Sequence, residues 1–155
     1  MTTLKNCCGL NLHRLARRAI FALCSLLLLC ANFPCVAKDP RKDPLDKKVE
    51  ALFDKAKSTG DQFEAAEAGK KLWDEEMNRV YQELKKKLSP AAATALQNSQ
   101  RKWLEWRDSE FTAINAYYDQ FKGTMYGPMR VGDKMDIIRD RTLYLRDQLS
   151  MLDEL

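Results

Sequence analysis

Large apolar residues recur every three or four positions along most of this chain, which is the spacing of one face of an α-helix. The longest uninterrupted run covers residues 89–121, where Ser89 is suited to cap a helix, Pro90 suits its first position and Gly123 follows its end. Its apolar positions are Leu96, Trp103, Trp106, Ile114, Tyr117, Tyr118 and Phe121. We expect one helix about 48 Å long, covered along this stripe by other helices, with the rest of the chain organised around it.

Two further long helices are predicted, one on each side of this run. Residues 60–88 carry a continuous apolar seam, and Thr59 with Gln62 fits a capping box at its start. The seam consists of Phe63, Ala66, Trp73, Met77, Val80, Leu84 and Leu88. The last helix is expected to begin after Asp133 as its cap and to present a narrow packing seam. That seam consists of Met135, Ile138, Thr142, Leu145, Leu149 and Leu152.

A shorter amphipathic helix is predicted at residues 45–57, with Asp43 as its cap and Pro44 in its first turn. Residues 122–132 contain three glycines and Pro128, so we expect an irregular segment there. No alternating strand pattern and no repeat is present in the sequence. The fold prediction is an all-α bundle of three long helices plus a short N-terminal helix.

The first 37 residues differ from the rest of the chain. They combine four basic residues and no acidic one with an apolar stretch of eleven residues, which is too short to span a bilayer well. Small residues precede a cleavage point after Ala37. We therefore expect a secretory signal peptide at residues 1–37, a charged flexible linker at 38–48 and a helical domain at 49–155.

This leader predicts a periplasmic or secreted protein that is not inserted in the membrane after cleavage. Two alternatives stay open. One is a lipoprotein signal with the lipid on Cys30 or Cys35, although Leu29 and Pro34 fit poorly where a small residue is usual. The other is an uncleaved anchor.

Cleavage would change the composition of what remains. All five cysteines and the single histidine, His13, leave with the leader, so no disulfide is expected. Four of the 26 Lys and Arg residues leave and none of the 22 Asp and Glu residues, which makes the remainder formally neutral. A neutral chain gives no electrostatic reason to expect nucleic acid or anionic membrane as a partner.

Several kinds of chemistry are excluded by the residues that remain. Without His or Cys, the exported chain has no Ser-His-Asp or Cys-His mechanism and no zinc site of imidazole or thiolate. No glycine-rich phosphate loop and no calcium loop is present. Carboxylates such as Glu75 lie among Lys and Arg at helical spacing, which is typical of solvated ion pairs. We therefore expect no enzyme, no metal and no cofactor.

Six residues of two consecutive helices form a recognisable pattern: Asn78, Tyr81, Gln100, Trp103, Arg107 and Asp108. The pattern resembles the Asn-x-x-Tyr and Gln-x-x-Trp-x-x-x-Arg-Asp motif of the LprI family, small secreted bacterial proteins named for a lysozyme inhibitor. The resemblance covers about residues 59–149. Where many members have cysteines, this chain has Ala65-Ala66 and Phe111, so a role that depends on that disulfide does not carry over.

We interpret these six residues first as a structural clamp. Gln100, Trp103 and Arg107 share one helical face. Trp103 is expected to fill the helix–helix seam, while Gln100 and Arg107 bond groups on the facing helix, with Asn78 and Tyr81 as candidate partners. A ligand site is the alternative, as it is for the aromatic stripe as a whole.

The resemblance implies a non-catalytic binding protein of the cell envelope, with a lysozyme as its protein partner. The candidate contact surface is the irregular segment that holds Met125, Tyr126, Met129 and Arg130, because Met, Tyr and Arg are frequent in interface hot spots. Alternatively, these residues cap the end of the bundle. A second hypothesis is a scaffolding module that self-associates, or joins an envelope complex, through the narrow seam of the last helix and its apolar tail of Met151, Leu152 and Leu155. The oligomeric state is left open.

Overall fold

The computed structural model describes residues 43–154, which form four α-helices. Helix α1 spans Pro44–Phe53, α2 spans Thr59–Lys87, α3 spans Pro90–Tyr118 and α4 spans Tyr126–Asp153. The predicted fold class is confirmed, since this part of the chain consists of three long helices after a short one and contains no strand.

The described part of the chain starts at Asp43, directly before its first helix. The predicted signal peptide, with its cleavage site and the alternative lipidation sites, lies outside the described residues. Helix α1 begins at Pro44, inside the predicted linker 38–48, and Leu45 is buried. Within the described part of the chain, no helix combines the length and apolar character that a membrane crossing requires.

Helices α2 and α4 make the most extensive contact and form the centre of the domain. Their predicted seams are confirmed, apart from Phe63, whose surface is 42% exposed. The most deeply buried side chains of the seams are Ala66, Trp73, Met77, Val80 and Leu84 of α2 and Ile138, Thr142 and Leu145 of α4. This pair, covered on one side by α1, holds most of the hydrophobic core.

The expectation that the chain is organised around α3 is wrong. Only Gln100 and Tyr118 of α3 are buried, and three residues of its predicted stripe are exposed. Their exposed fractions are 49% for Trp106, 55% for Tyr117 and 40% for Phe121. The reason is that α2 and α4 fill each other's seams, so that α3 lies against one side of this pair and keeps an open face.

Side chains cap the starts of three helices, largely as predicted. The Asp43 carboxylate accepts from the Leu45 N–H at 2.8 Å and Pro44 is the first residue of α1. Ser89 caps α3 in the same way. The predicted capping box of α2 is shifted by one residue, because Ser58 and Asp61 form it instead of Thr59 and Gln62.

The start of α4 was predicted wrongly. The helix begins at Tyr126, within the segment 122–132 that we expected to be irregular, and Asp133 lies inside it and is not its cap. Pro128 is the third residue of the helix, where a missing N–H leaves no intrahelical bond unmade. The turn that precedes α4 contains Gly123, whose φ of 128° is readily adopted only by glycine.

Close contact of three helices depends on a second glycine, Gly69 in α2. A Cβ atom added there would lie 2.9 Å from the Met135 sulfur of α4 and 3.0 Å from a Val49 methyl of α1. Both distances are shorter than an ordinary van der Waals contact. The absence of a side chain at this position therefore allows α1 and α4 to meet over α2.

Candidate binding surfaces

The motif residue Gln100 joins α3 to both central helices. Its side chain is buried, and its amide oxygen accepts hydrogen bonds from Arg141 of α4, from Nε at 3.0 Å and from Nη2 at 2.9 Å. Its amide nitrogen donates to the Met77 sulfur of α2 at 3.7 Å, and this bond is weak because a thioether sulfur is a poor acceptor. The predicted bonds from Gln100 to Asn78 or Tyr81 do not occur among the described residues.

The motif residue Arg107 binds α2 less directly than expected. It donates to Asp108 Oδ1 on its own helix, at 2.7 Å from Nη2, and lies 3.8 Å from the Asp74 carboxylate of α2. The Asn78 amide donates to the Asp74 carbonyl and carboxylate. Asn78 therefore reaches the motif arginine through Asp74. Trp103 and Tyr81 are both half-buried and pack against the hydrophobic core.

The buried tryptophan of the domain is Trp73, and two arginines of α4 cover its ring. The guanidinium carbon of Arg139 lies 5.5 Å and that of Arg146 lies 5.6 Å from the ring centroid. Arg139 pairs with Asp46 of α1 at 2.7 Å, and Arg146 pairs at 2.6 Å with the N-cap carboxylate of α1 and with a carboxylate of α2. These two carboxylates belong to Asp43 and Glu76. The cluster ties α1 to the central pair around the indole.

The pKa of Glu76 reflects this network. Hydrogen bonds from Arg79 and then from Arg146 lower the pKa of the carboxyl to about 2, against the opposing effect of burial. Glu76 therefore stays ionised at every physiological pH, where it serves both arginines as an acceptor.

Polar contacts join the end of α3 to the beginning of α4. They are the bonds of Tyr118 Oη to Asp133 at 2.8 Å, Arg130 Nη2 to Asp119 at 2.7 Å and Lys134 Nζ to Asn115 at 2.6 Å. The bond to Asp133 raises the pKa of the Tyr118 hydroxyl, because it holds the proton between the two oxygens. These three bonds therefore tie the last turn of α3 to the first turns of α4.

The four predicted contact residues divide into two pairs at this junction. Met125 and Met129 are 58% and 47% exposed. Tyr126 is half-buried and stacks on Phe121 with ring centroids 4.9 Å apart, while Arg130 is held by Asp119. Two of the four thus present free surface, and the other two help to close the end of the bundle.

Further exposed apolar residues extend this surface. Tyr117 packs edge-on against Phe121 at 5.2 Å, and Phe63 of α2 lies against Gly127, where an added Cβ atom would meet its ring at 3.3 Å. We call the set Phe63, Tyr117, Phe121, Met125 and Met129 the junction patch. Sequence reasoning missed three of these residues because their helical spacing assigned them to buried seams. All five are at least 40% exposed.

A metal site is not found in this part of the molecule. Among residues 43–154, no group of three or more Asp, Glu, His or Cys side chains is placed to hold a metal ion.

Comparison with known proteins gives a family and a structural relative. The family described as Lysozyme inhibitor LprI matches residues 54–145 of the chain. The crystal structure of an uncharacterized protein from Burkholderia thailandensis is similar, with 31% sequence identity and a TM-score of 0.63. The similarity covers 68% of this chain and 53% of that chain, so this chain spans about half the length of its structural relative. No curated protein matches the chain.

Proposed function

This chain belongs to the Lysozyme inhibitor LprI family, and we propose that it is an exported, non-catalytic protein of the cell envelope that inhibits a lysozyme. Inhibition requires no catalytic group, because a protein that occludes a substrate cleft prevents turnover by binding alone. The family name supports a lysozyme as the partner. The leader expected from the sequence supports export to the compartment where a lysozyme meets the bacterium.

The junction patch is the observation that carries the choice of contact surface. Five large apolar side chains, exposed together at one end of a small protein, are typical of a protein-binding site. The aromatic stack of Phe121 on Tyr126 gives the patch a rigid base, while Met125 and Met129 supply flexible side chains that adapt to a partner. Arg130, held by Asp119, adds a charged rim.

The alternative of self-association through the apolar seam of α4 has less support. Ile138, Thr142 and Leu145, the middle of that seam, are buried within the domain. A second copy could use them only after α2 had moved away.

The experiment is a titration of lysozyme activity on bacterial cell walls. The protein is expressed as the full chain with its own leader and purified in its exported form. We expect dose-dependent inhibition, and we expect the double variant Met125→Ala/Met129→Ala to inhibit at least tenfold more weakly, a loss of about 1.4 kcal/mol of binding free energy. The matched control is Trp106→Ala, since Trp106 is an exposed aromatic residue of α3 outside the junction patch.

Each outcome has a distinct meaning. Inhibition by the wild type that the double variant retains in full would refute the junction patch as the contact surface. An equal loss in Trp106→Ala would refute it as well. Absence of inhibition by the wild type at large molar excess would refute the lysozyme as the partner.

A further inference from the structure

An open apolar groove lies at the opposite end of α4 from the junction patch. Its volume is about 450 Å³, and it is bounded by the end of α2, the first half of α3 and the end of α4. Its apolar walls include Leu84, Leu88, Ala95, Leu96, Met151 and Leu152. We call it the terminal groove. Its volume lies within the range of about 300–1,000 Å³ that is common for ligand pockets.

One charged residue, Arg141 of α4, lines this groove, and its surroundings differ from those of its neighbours. Arg130, Arg139 and Arg146 of the same helix each form an ion pair with a carboxylate at 2.7 Å or less. Among residues 43–154, no carboxylate lies within ion-pair distance of the half-buried Arg141 guanidinium. Burial lowers the pKa of this guanidinium, with only Tyr144 opposing the shift.

The contacts of Arg141 leave one edge of the guanidinium without a partner. Its Nε and Nη2 atoms donate to Gln100, while the rings of Trp103 and Tyr144 lie 5.7 Å and 5.4 Å from its central carbon. No hydrogen bond from Nη1 to a described residue occurs. A carboxylate is the acceptor that matches such an edge, and it would supply the charge that the site lacks.

We infer that the terminal groove binds a single-chain amphiphile with a carboxylate head, of the fatty-acid class. The hydrocarbon chain lies along the leucines and the head group pairs with Arg141. The apolar walls suit a hydrocarbon chain, and the edge of Arg141 that has no protein acceptor suits a carboxylate, so charge complementarity selects the head group. The family motif then has a further role, because Gln100 and Trp103 position the arginine that receives the ligand.

This inference does not depend on lysozyme inhibition. Helix α4 has 28 residues and is therefore about 40 Å long, so the groove and the junction patch are separate surfaces. A protein that fails to inhibit lysozyme can still bind the amphiphile, and the reverse also holds.

The first test compares two ligands with the same tail and opposite heads. The exported protein, produced from the full chain, is titrated calorimetrically with dodecanoate and with dodecyltrimethylammonium, both below their micelle concentrations. We expect saturable binding of one dodecanoate per chain and at least tenfold weaker binding of the ammonium compound. Equal binding of the two ligands, or no saturable binding of dodecanoate, would overturn the inference.

The second test uses variants of the groove and of the arginine. Ala95→Trp fills the groove from an exposed helical position, and Arg141→Gln removes the charge; each is checked by its circular dichroism melt. We expect both variants to lose dodecanoate affinity at least tenfold. Full affinity in a folded Ala95→Trp would overturn the choice of groove, and full affinity in a folded Arg141→Gln would overturn the role of the arginine.

A third readout separates ion pairing from packing and needs no variant. Carbon-13 NMR of carboxyl-labelled dodecanoate gives the pKa of the bound head group, which we expect to be lower than that of the free acid because a guanidinium favours the carboxylate. An unchanged or raised pKa would overturn the contact between the carboxylate and Arg141.

A dimer of the protein that dissociates on dilution and is abolished by Ala95→Trp would also overturn the inference, since a second copy would then occupy the groove.

Discussion

Helices α2 and α3 have the same length of 29 residues, and a serine caps each of them, yet they have different roles. Helix α2 has seven buried residues and α3 has two. The difference arises because α2 lies between α1 and α4, whereas α3 contacts the central pair from one side. Length and apolar content therefore do not decide which helix forms the core; the number of neighbours does.

Helix α3 is held by the packing of Leu96, Trp103 and Phe111 against the core and by polar bonds. Gln100 bonds Arg141, Tyr118 bonds Asp133, and Arg107 lies near Asp74. Such bonds fix the orientation of a helix without covering its apolar side chains. Helix α3 can therefore contribute to the junction patch and to the terminal groove, while α2 supplies more buried residues than any other described helix.

The largest expected effect is on stability, when a tryptophan of α2 and a tryptophan of α3 are each replaced by alanine. Trp73→Ala should reduce the free energy of unfolding by about 4 kcal/mol, because it removes a fully buried ring. Trp103→Ala, at a half-buried position of α3, should cost about 1–2 kcal/mol. Urea unfolding measures both. Equal losses would contradict the view that α2 is the central helix.

The next effect tests the charged residues of the two helices. Glu76→Gln should cost about 2 kcal/mol at pH 7, because two arginines lose a carboxylate that is largely buried. The matched change in α3, Asp108→Asn, alters a carboxylate whose side chain is 65% exposed and should cost less than about 0.5 kcal/mol.

The free energy of unfolding should depend on pH through Glu76, and the direction of this dependence follows from the pKa of its carboxyl. Folding lowers the pKa of Glu76 from 4.5 to about 2, so its contribution is complete above pH 4.5 and is lost as the pH falls towards 2. The stability difference between wild type and Glu76→Gln should shrink over that range in urea unfolding at a series of pH values. A constant difference would contradict the assigned pKa.

A smaller effect is expected at the end of α3. Tyr118→Phe keeps the buried ring and removes the hydrogen bond to Asp133, which should cost about 1 kcal/mol. Amide hydrogen exchange should become faster near residues 115–120, while the centre of α2 is unchanged. Uniform acceleration in both helices would show that α3 is as much part of the core as α2.

The smallest effect on stability is expected for a substitution on the open face of α3. Trp106 is 49% exposed, and Trp106→Ala should change the free energy of unfolding by less than about 0.5 kcal/mol. A thermal melt is sufficient to measure it. A loss of 2 kcal/mol or more would show that this face is covered in solution.

Regular spacing of apolar residues was enough to predict the core but not the surfaces. The seam from Ala66 to Leu84 follows the helical period, and burial follows from it. Phe63 and Tyr117 follow the same period and are exposed. Periodicity shows which side chains share a face, whereas their burial depends on whether another helix reaches that face.

Two further features were not predicted correctly from the sequence: the start of α4 and the partner of Gln100. Glycine and proline led us to expect an irregular segment, yet Pro128 suits the first turn of α4, and Val131 is then buried. Arg141 could not be found from the sequence, because nothing local indicates that Gln100 reaches α4. The sequence suggested Asn78 as a partner of Gln100 because both residues belong to the same motif.

The short helix α1 sets a limit on how far this protein can be trimmed. Its N-cap Asp43 and its third residue Asp46 supply the carboxylates that pair with the two arginines over Trp73. A chain cut to begin at residue 49 would discard both acids and leave the guanidinium groups stacked on the indole without their α1 partners. A fragment that keeps this cluster intact therefore starts at or before Asp43, and purification tags or protease sites belong upstream of it.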